Sequence, residues 1–345
     1  MSALLTNGEC GKAKEALTLN LAVALEQMKD YISDILHFYL YNSYLTILNI
    51  HKLSLFRCQS KGYNNYIIKV KECVFMTLMN KALTIAGSDT SGGAGMEADI
   101  KTMEELGVYG MPALTCIVTM HPTTWEHSVF PLPLDLIEKQ LVTAIEGVGI
   151  NAMKTGMLGS AELVELVAAT IDKYNLQNVV IDPVMVCKGC DLILVPDAAE
   201  SIKKLLMPRC DIITPNTVEA AYLADMPEVT TVEQIKEAAE KIVVAGAKSV
   251  VIKGGERLSD NSAIDIFYDG KEFVEMAVPK IYPSYNHGAG CTFSAAITAG
   301  LADGLSMKED VLQAKKFVTA ALKHGFAINN IVGCTNHTAY KKYGE

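Results

Sequence analysis

The chain lacks a basic surplus: 30 Lys and Arg stand against 39 Asp and Glu over 345 residues, a formal net charge of −9. That balance argues against a nucleic-acid partner, whose phosphates need a basic face. A small anionic ligand is still allowed, because backbone N–H groups bind one locally. No cleavable signal pattern opens the chain. Its nine cysteines are odd in number, and most sit in apolar or Gly-rich strings. Together these features read as free thiols in a reducing cytoplasm. Cys187-Lys188-Gly189-Cys190 is a CxxC pair, but no second pair and no matching His pair exists to complete the four ligands of a zinc site. Nor is there a long apolar run. Residues 35–51 carry no Asp, Glu, Lys or Arg, yet the stretch is short of the roughly 20 apolar residues a spanning helix needs and is broken by Asn42, Ser43, Thr46 and Asn49. No internal repeat and no low-complexity run is present.

Half of the residues are apolar, enough for one large α/β domain or for a domain of roughly 250–270 residues with an appendage. The chain changes character near residue 76. Residues 1–75 lack Pro and the strand–Gly–helix punctuation seen later, although 13–30 has the pattern of a helix. They read as an N-terminal extension, helical or disordered, or as sequence upstream of a true start at Met76 or Met79. Residues 79–343 read as the enzyme domain. Strands are predicted over Lys81–Ala86, Ala113–Met120, Ala152–Thr155, Asn178–Ile181, Ile212–Thr214 and Ser249–Ile252. Between them come helices over Glu97–Leu106, Leu134–Glu146, Ala161–Tyr174 and Val232–Val244. A hairpin is predicted around Asp269-Gly270, and helices over 292–303 and 308–326 close the chain. This βαβα rhythm predicts a mostly parallel sheet with helices on both faces. In such sheets the ligand sits outside the carboxyl ends of the strands. Asp89, Gly156, Asp182, Asn216 and Lys253-Gly254-Gly255 stand at those ends, and so predict one long crevice.

The most informative string is His287-Gly288-Ala289-Gly290-Cys291-Thr292-Phe293-Ser294-Ala295-Ala296. Glycines let the backbone approach a ligand, and the helix that follows turns its free N–H groups and positive dipole end toward it. Such a place receives charge on a transferring phosphoryl group; the same pattern also describes a Gly-rich turn before a buried helix. Cys291 falls where that helix begins. A helix N-terminus favours the thiolate, which could take a proton from a substrate hydroxyl; otherwise the residue is a small buried apolar one. Asn216-Thr217-Val218-Glu219 places a carboxylate where it could hold Mg²⁺, and equally spells a capping box. Asp182, immediately after a Val-Val-Ile run, needs a partner, whether Mg²⁺, the base or a cap. Cys187 fits a lid carrying a reactive thiol. His121 and His287 carry no firm catalytic assignment.

AGSDTSGGAGMEADIKT at the start of the domain, KTGML at 154–158, DPVMV at 182–186, ITPN followed by Glu219, KGG at 253–255 and HGAGCTFSAA at 287–296 together resemble the ribokinase-like vitamin kinases. That group holds the hydroxymethylpyrimidine (phosphate) kinases and the related pyridoxal/pyridoxine kinases. The resemblance spans about residues 80–343, and residues 1–75 have no counterpart in it. It implies a ribokinase-like α/β fold, a homodimer, and ATP with Mg²⁺. It implies that Asp89 bonds the substrate, that Gly156 offers backbone to the same pocket, and that Asp182 and Glu219 organise Mg²⁺. Asn216 and the run Lys253, Gly254, Gly255, Glu256 and Arg257 would line ATP. Gly290 would belong to the anion hole, and Lys315 would approach the adenine side. Sugar kinases of this superfamily carry Asp where Cys291 stands, which shifts weight from sugars to vitamins. Thr119-Met120-His121 replaces the Ala-Gln-Asn of pyrimidine kinases, and Met120 cannot pair with an aminopyrimidine. Carrying both Cys187 and Cys291 resembles a double-cysteine subgroup that looks like pyridoxal kinase. The implied reaction is phosphorylation of the hydroxymethyl group of a B6 vitamer, with Cys187 able to add to the aldehyde of pyridoxal. The alternative is hydroxymethylpyrimidine (phosphate) kinase, or both activities.

Overall fold

A computed structural model describes residues 79–344 apart from 187–192, 194, 256, 259 and 260. The extension over 1–75, Cys187, Cys190 and Glu256 therefore lie outside the described residues. Nine strands form one sheet: β1 (Lys81–Asp89), β2 (Tyr109–Met120), β3 (His127–Pro131), β4 (Ala152–Thr155), β5 (Val179–Ile181), β6 (Ile212–Ile213), β7 (Val250–Lys253), β8 (Ser262–Tyr268) and β9 (Phe273–Pro279). Their spatial order is β3-β2-β1-β4-β5-β6-β7-β8-β9. The six strands from β2 to β7 run parallel; β3 at one edge and β8–β9 at the other are antiparallel. The fold is α/β, with the mostly parallel sheet expected from the element rhythm.

Successive residues of the central strands bury opposite faces, as a period of two requires. In β5, Val179 and Ile181 join one core and Val180 the other. The first face also takes Leu83, Ile85, Met153, Ile213, Val250 and Ile252. It is covered by α2 (Leu134–Val142), α3 (Ala161–Tyr174), α5 (Thr217–Leu223) and α6 (Val232–Val244), with α1 (Gly95–Glu105) on the other side, and α4 (Pro196–Ser201) adds Ala199 to the first core. The second face, with Ala82, Ala152, Val180, Ile212 and Val251, packs on α1, α7 (Ala289–Ala302) and α8 (Met307–Lys323). Central strands buried on both sides must be apolar throughout. Each fully buried aliphatic side chain contributes about 1.5–3 kcal/mol relative to exposure.

Sequence and structure part in four places. β3 was not expected; all five of its residues are exposed, so an edge strand leaves no alternation to read. The helix predicted over Leu134–Glu146 is α-helical only to Val142 and continues as a π-turn over Thr143–Val148. α4, six residues behind Pro196, carries too few apolar positions to show a period. The helix predicted to reach residue 326 stops at Lys323, and Phe326–Ala327 pairs with Gly333–Cys334 as β10 and β11 before α9 (Ala339–Tyr343). Among the described residues no helix is long and apolar enough to cross a membrane; residues 35–51 fall outside them.

Candidate active site

The parallel strands deliver Asp89, Gly156, Asp182, Asn216 and Lys253 to one edge of the sheet. Asp89 is buried and fully occupied. The backbone N–H and hydroxyl of Ser91 donate to its Oδ1 at 2.8 and 2.7 Å, Ala94 N–H donates to Oδ2 at 2.8 Å, and His287 Nε2 lies 2.7 Å from Oδ2. Burial opposes ionisation here, but the bonds from His287 and Ser91 outweigh it and hold the carboxyl well below the usual range. Glu97 supports the same turn, accepting from Ser88 Oγ at 2.6 Å and from Asp89 N–H at 2.8 Å. Asp89 thus ties the 91–94 loop to the 287–290 loop.

Those two Gly-rich loops cross backbone to backbone. Gly288 has φ +82°, and a Cβ there would overlap the carbonyl oxygen of Gly93; only glycine serves. The crossing sets the N-terminus of α7 beside that of α1. Lys253 Nζ lies 3.4 Å from where a Gly290 Cβ would stand. Helix N–H groups, the dipole end and one ammonium therefore converge on Gly290, an arrangement suited to an anion.

Around that point the carboxylates are buried and engaged. Asp182 Oδ1 is 3.3 Å from Lys253 Nζ and 3.4 Å from Thr214 Oγ1, and Ser294 Oγ donates to Oδ2 at 3.0 Å. Burial would raise its pKa, but Lys253, Lys154 and Ser294 prevail and lower it. Lys253 is held charged: burial opposes the ammonium, and Asp182 and Glu219 outweigh burial. Glu219 forms the capping box of α5. Its Oε2 accepts from Asn216 N–H at 2.9 Å, while Asn216 Oδ1 accepts from Val218 and Glu219 N–H. Glu219 Oε1 accepts from Met185 N–H at 3.0 Å, stitching the turn after β5 to α5. Burial pushes Glu219 upward, Lys253 pulls it back, and Asp182 adds to the push.

Cys291 does not carry the lowered pKa that its place at a helix start predicts. Burial raises it first and Asp99 and Asp182 add to that, against Lys154 and the Gly95 N–H, so the thiol is pushed up to about 12. The helix N-terminus is present; desolvation and neighbouring carboxylates outweigh it.

Lys315 is buried and committed. Its Nζ donates to Asp265 Oδ2 at 2.8 Å and to Ala263 O at 3.2 Å. Asp265 Oδ1 in turn accepts from Gly254 N–H at 3.1 Å. A chain of bonds therefore runs from α8 to the turn after β7, where Gly255 has φ +52° and Arg257 N–H donates to Gly254 O. Gly156 N–H is spent on Ile85 O, and Lys154 Nζ lies 3.6 Å from its Cβ position. Met120, half-buried, ends β2 opposite His127. His121 closes the β2–β3 turn, its Nδ1 accepting from the N–H groups of Thr123 and Thr124.

Sequence reasoning left three participants unassigned. His287 clamps Asp89, Ser294 holds Asp182, and Lys154 pairs with Asp99 beneath the crevice at 2.8 Å. His287 and Ser294 stand inside the HGAGCTFSAA string, and Lys154 opens KTGML; a polar residue within an otherwise apolar strand was the available signal.

The phosphomethylpyrimidine kinase family model matches residues 89–336. The chain is 51% identical over 264 residues to the pyridoxine kinase of Bacillus subtilis, covering 76% of this chain and 97% of that protein. The hydroxymethylpyrimidine/phosphomethylpyrimidine kinase of the same organism is 43% identical over 262 residues, with 76% and 96% covered. Among solved structures, the pyridoxal kinase of Staphylococcus aureus in complex with AMP-PCP and pyridoxal superposes with a TM-score of 0.72 at 47% identity, covering 76% of this chain and 95% of that one.

Proposed function

Because this chain belongs to the phosphomethylpyrimidine kinase family, with the ribokinase-like α/β fold and the phosphotransferase class that membership brings, we propose that it transfers the γ-phosphoryl group of ATP to the hydroxymethyl group of a B6 vitamer, pyridoxal, pyridoxine or pyridoxamine. The activity is assigned to residues 79–343. One observation carries it: Lys253 Nζ and the N-terminus of α7 converge at Gly290, beside Cys291 and the buried carboxylates Asp182 and Glu219. A site built only to bind a vitamin has no use for a paired ammonium and anion hole of this kind.

ATP lies along the strand-end crevice, with Asn216 and the turn Lys253–Arg257 on its phosphate and sugar side. The residues fit Mg²⁺ bound with the nucleotide. That ion typically takes one or two carboxylates plus phosphates and keeps several waters. Both Asp182 and Glu219 retain lone pairs beyond the hydrogen bonds they accept; among the described residues no larger cluster of ligating side chains exists. When bound, the ion neutralises phosphate charge. The vitamin hydroxyl faces Cys291, which first gives its own proton to solvent and then, as thiolate, takes the hydroxyl proton while the oxygen attacks phosphorus and ADP leaves. Lys253 and the α7 N–H groups hold the charge of the transferring group. Lys315 acts on ATP through Asp265 and the Gly254 turn. Cys187, outside the described residues, would add to the aldehyde of pyridoxal, its sulfur bonding the carbonyl carbon while the thiol proton passes to the carbonyl oxygen.

Hydroxymethylpyrimidine kinase activity is the second reading, favoured by the 43% identity to the B. subtilis enzyme. The higher identity to a pyridoxine kinase and the apolar Met120 support B6. A coupled ADP-release assay checks the central reaction. We expect release that requires both a B6 vitamer and Mg²⁺. Release indifferent to the vitamer, or none with any of the three, would overturn the assignment.

A further inference from the structure

The C-terminal segment from Gly333 to His337 packs against the two glycine loops. His287 N–H donates to Gly333 O at 3.1 Å and Thr335 N–H donates to His287 O at 3.3 Å, so that Cys334 and His287 form a parallel bridge. A Cβ on Gly93 would stand 2.5 Å from His287 Cδ2 and 3.1 Å from Cys334 Cβ. Residues 93, 287 and 334 therefore meet with no room for a side chain at 93. The segment is anchored on its other side by Asn336, whose N–H donates to Ala321 O of α8 at 2.9 Å.

One side chain of this segment reaches α7. His337 Nε2 lies 3.1 Å from Thr292 Oγ1 and 3.5 Å from Thr335 Oγ1, and the two hydroxyls are 3.4 Å apart. All three side chains are buried. Thr292 closes the first turn of α7, its N–H donating to Gly288 O at 2.8 Å. It stands two residues after Gly290, and residues two apart on a helix do not share a face. The imidazole thus bears on the first turn from the side away from Gly290, where Lys253 stands. Burial, helped by the Lys101 ammonium, pushes the His337 pKa down to about 4, so the ring is neutral and offers one donor and one acceptor. Apolar side chains of the same shape would hold the fold about as well as these three polar ones. What a satisfied buried network adds is a single fixed arrangement.

We propose that His337 is a positioning residue for phosphoryl transfer: through Thr292 it fixes the first turn of α7, and with it the direction of the N–H groups that receive the transferring group at Gly290. It acts only through Thr292. The inference rests on the phosphoryl-transfer reading of the site, and not on which vitamin is the acceptor. N–H groups of this kind serve charge that develops in the transition state. A first turn free to rock therefore loses kcat before it loses binding.

The test assays ADP release with Mg·ATP and each of pyridoxal, pyridoxine, pyridoxamine and hydroxymethylpyrimidine, and melts every variant in parallel. Thr292→Val keeps the shape and removes the hydroxyl. His337→Gln keeps a polar atom where Nε2 stands, and His337→Met removes it. We expect Thr292→Val and His337→Met each to lower kcat by about 10- to 100-fold, the cost of a small misplacement, with the KM for the acceptor held within about twofold. His337→Gln should recover most of that loss. The triple variant Thr292→Val/Thr335→Val/His337→Met replaces all three polar groups together and should melt near the wild type. Its kcat should fall no further than that of the slower single variant, because one link is being cut more than once. A kcat that returns with the melting temperature in the triple variant would mean the network is only packing, and overturns the proposal. So does wild-type kcat in Thr292→Val, which carries the test alone if His337→Met fails to fold. A wild-type enzyme that releases no ADP with any acceptor would instead remove the phosphoryl-transfer reading, and this inference with it.

Discussion

At the scale of single residues, Cys291 decides most. Its sulfur sits where two helix N-termini meet, and still the thiol is pushed up to about 12 by burial and by Asp99 and Asp182. If Cys291 is the base, it has to lose its own proton before it can accept one from a hydroxyl. Cys291→Ala should cut kcat by about 10²–10⁴-fold, the usual worth of a general base. The affinity for ATP measured by calorimetry should stay near wild type, because Lys253 and the α7 N–H groups remain. Turnover near wild type in that variant would contradict the assignment. The places of Asp182 and Lys253 at strand ends were legible because each directly follows, or ends, a short apolar run, and the capping box of Asn216 and Glu219 was legible from their spacing. The part of His287 was not legible. Its partner Asp89 is 198 residues away, and no local pattern carries information about so distant a contact. The ionisation of Cys291 was misread for the same reason: a helix start is visible in sequence, whereas Asp99 and the degree of burial are not.

At the scale of elements, α8 is bonded through Asp265 to the turn after β7. Lys315 and Asp265 are 9% exposed each and 2.8 Å apart, and Asp265 anchors the Gly254 N–H at the turn after β7. Lys315→Met leaves a buried carboxylate alone, a change that typically costs about 3–5 kcal/mol. Urea unfolding should show that loss, and the KM for ATP should rise. Pairing it with Asp265→Leu should recover much of the stability and none of the ATP affinity. A KM unchanged in both would uncouple α8 from the nucleotide. The other end of α8 carries Asp310, buried against Gly300 of α7 with neither oxygen partnered. Burial pushes its carboxyl up to about 9 from 3.8. The fold therefore favours the protonated form. Its contribution is complete below the unfolded pKa near 4 and is lost progressively as pH rises toward 9. Asp310→Asn should raise the Tm at pH 8 and leave it unchanged at pH 4; a gain of equal size at both would contradict the titration. The helices and central strands around these residues were legible from periodicity, α3 and α6 to the residue, because they have one buried face and clear caps. β3 was not, since an exposed edge strand obeys no burial rule.

At the scale of the whole molecule, a doubly covered parallel sheet brings five strand ends to one edge, and two glycine loops 198 residues apart at their Asp89–His287 clamp close over it. This arrangement suits the phosphoryl transfer proposed for it; it does not by itself select a vitamin. Under the proposed function, selection would fall to the end of β2, where Met120 carries a thioether and offers no pair of hydrogen bonds to an aminopyrimidine. The fold class and the gathering of polar residues at one set of strand ends could be read from the βαβα rhythm alone, while the proposed kind of vitamin rests on one side chain and on family likeness. The most direct measurement is therefore the ratio of kcat/KM for pyridoxal to that for hydroxymethylpyrimidine, taken with Mg·ATP on the full chain. We predict a ratio above about ten, a preference of roughly 1.4 kcal/mol or more; a ratio at or below one would contradict the assignment to vitamin B6.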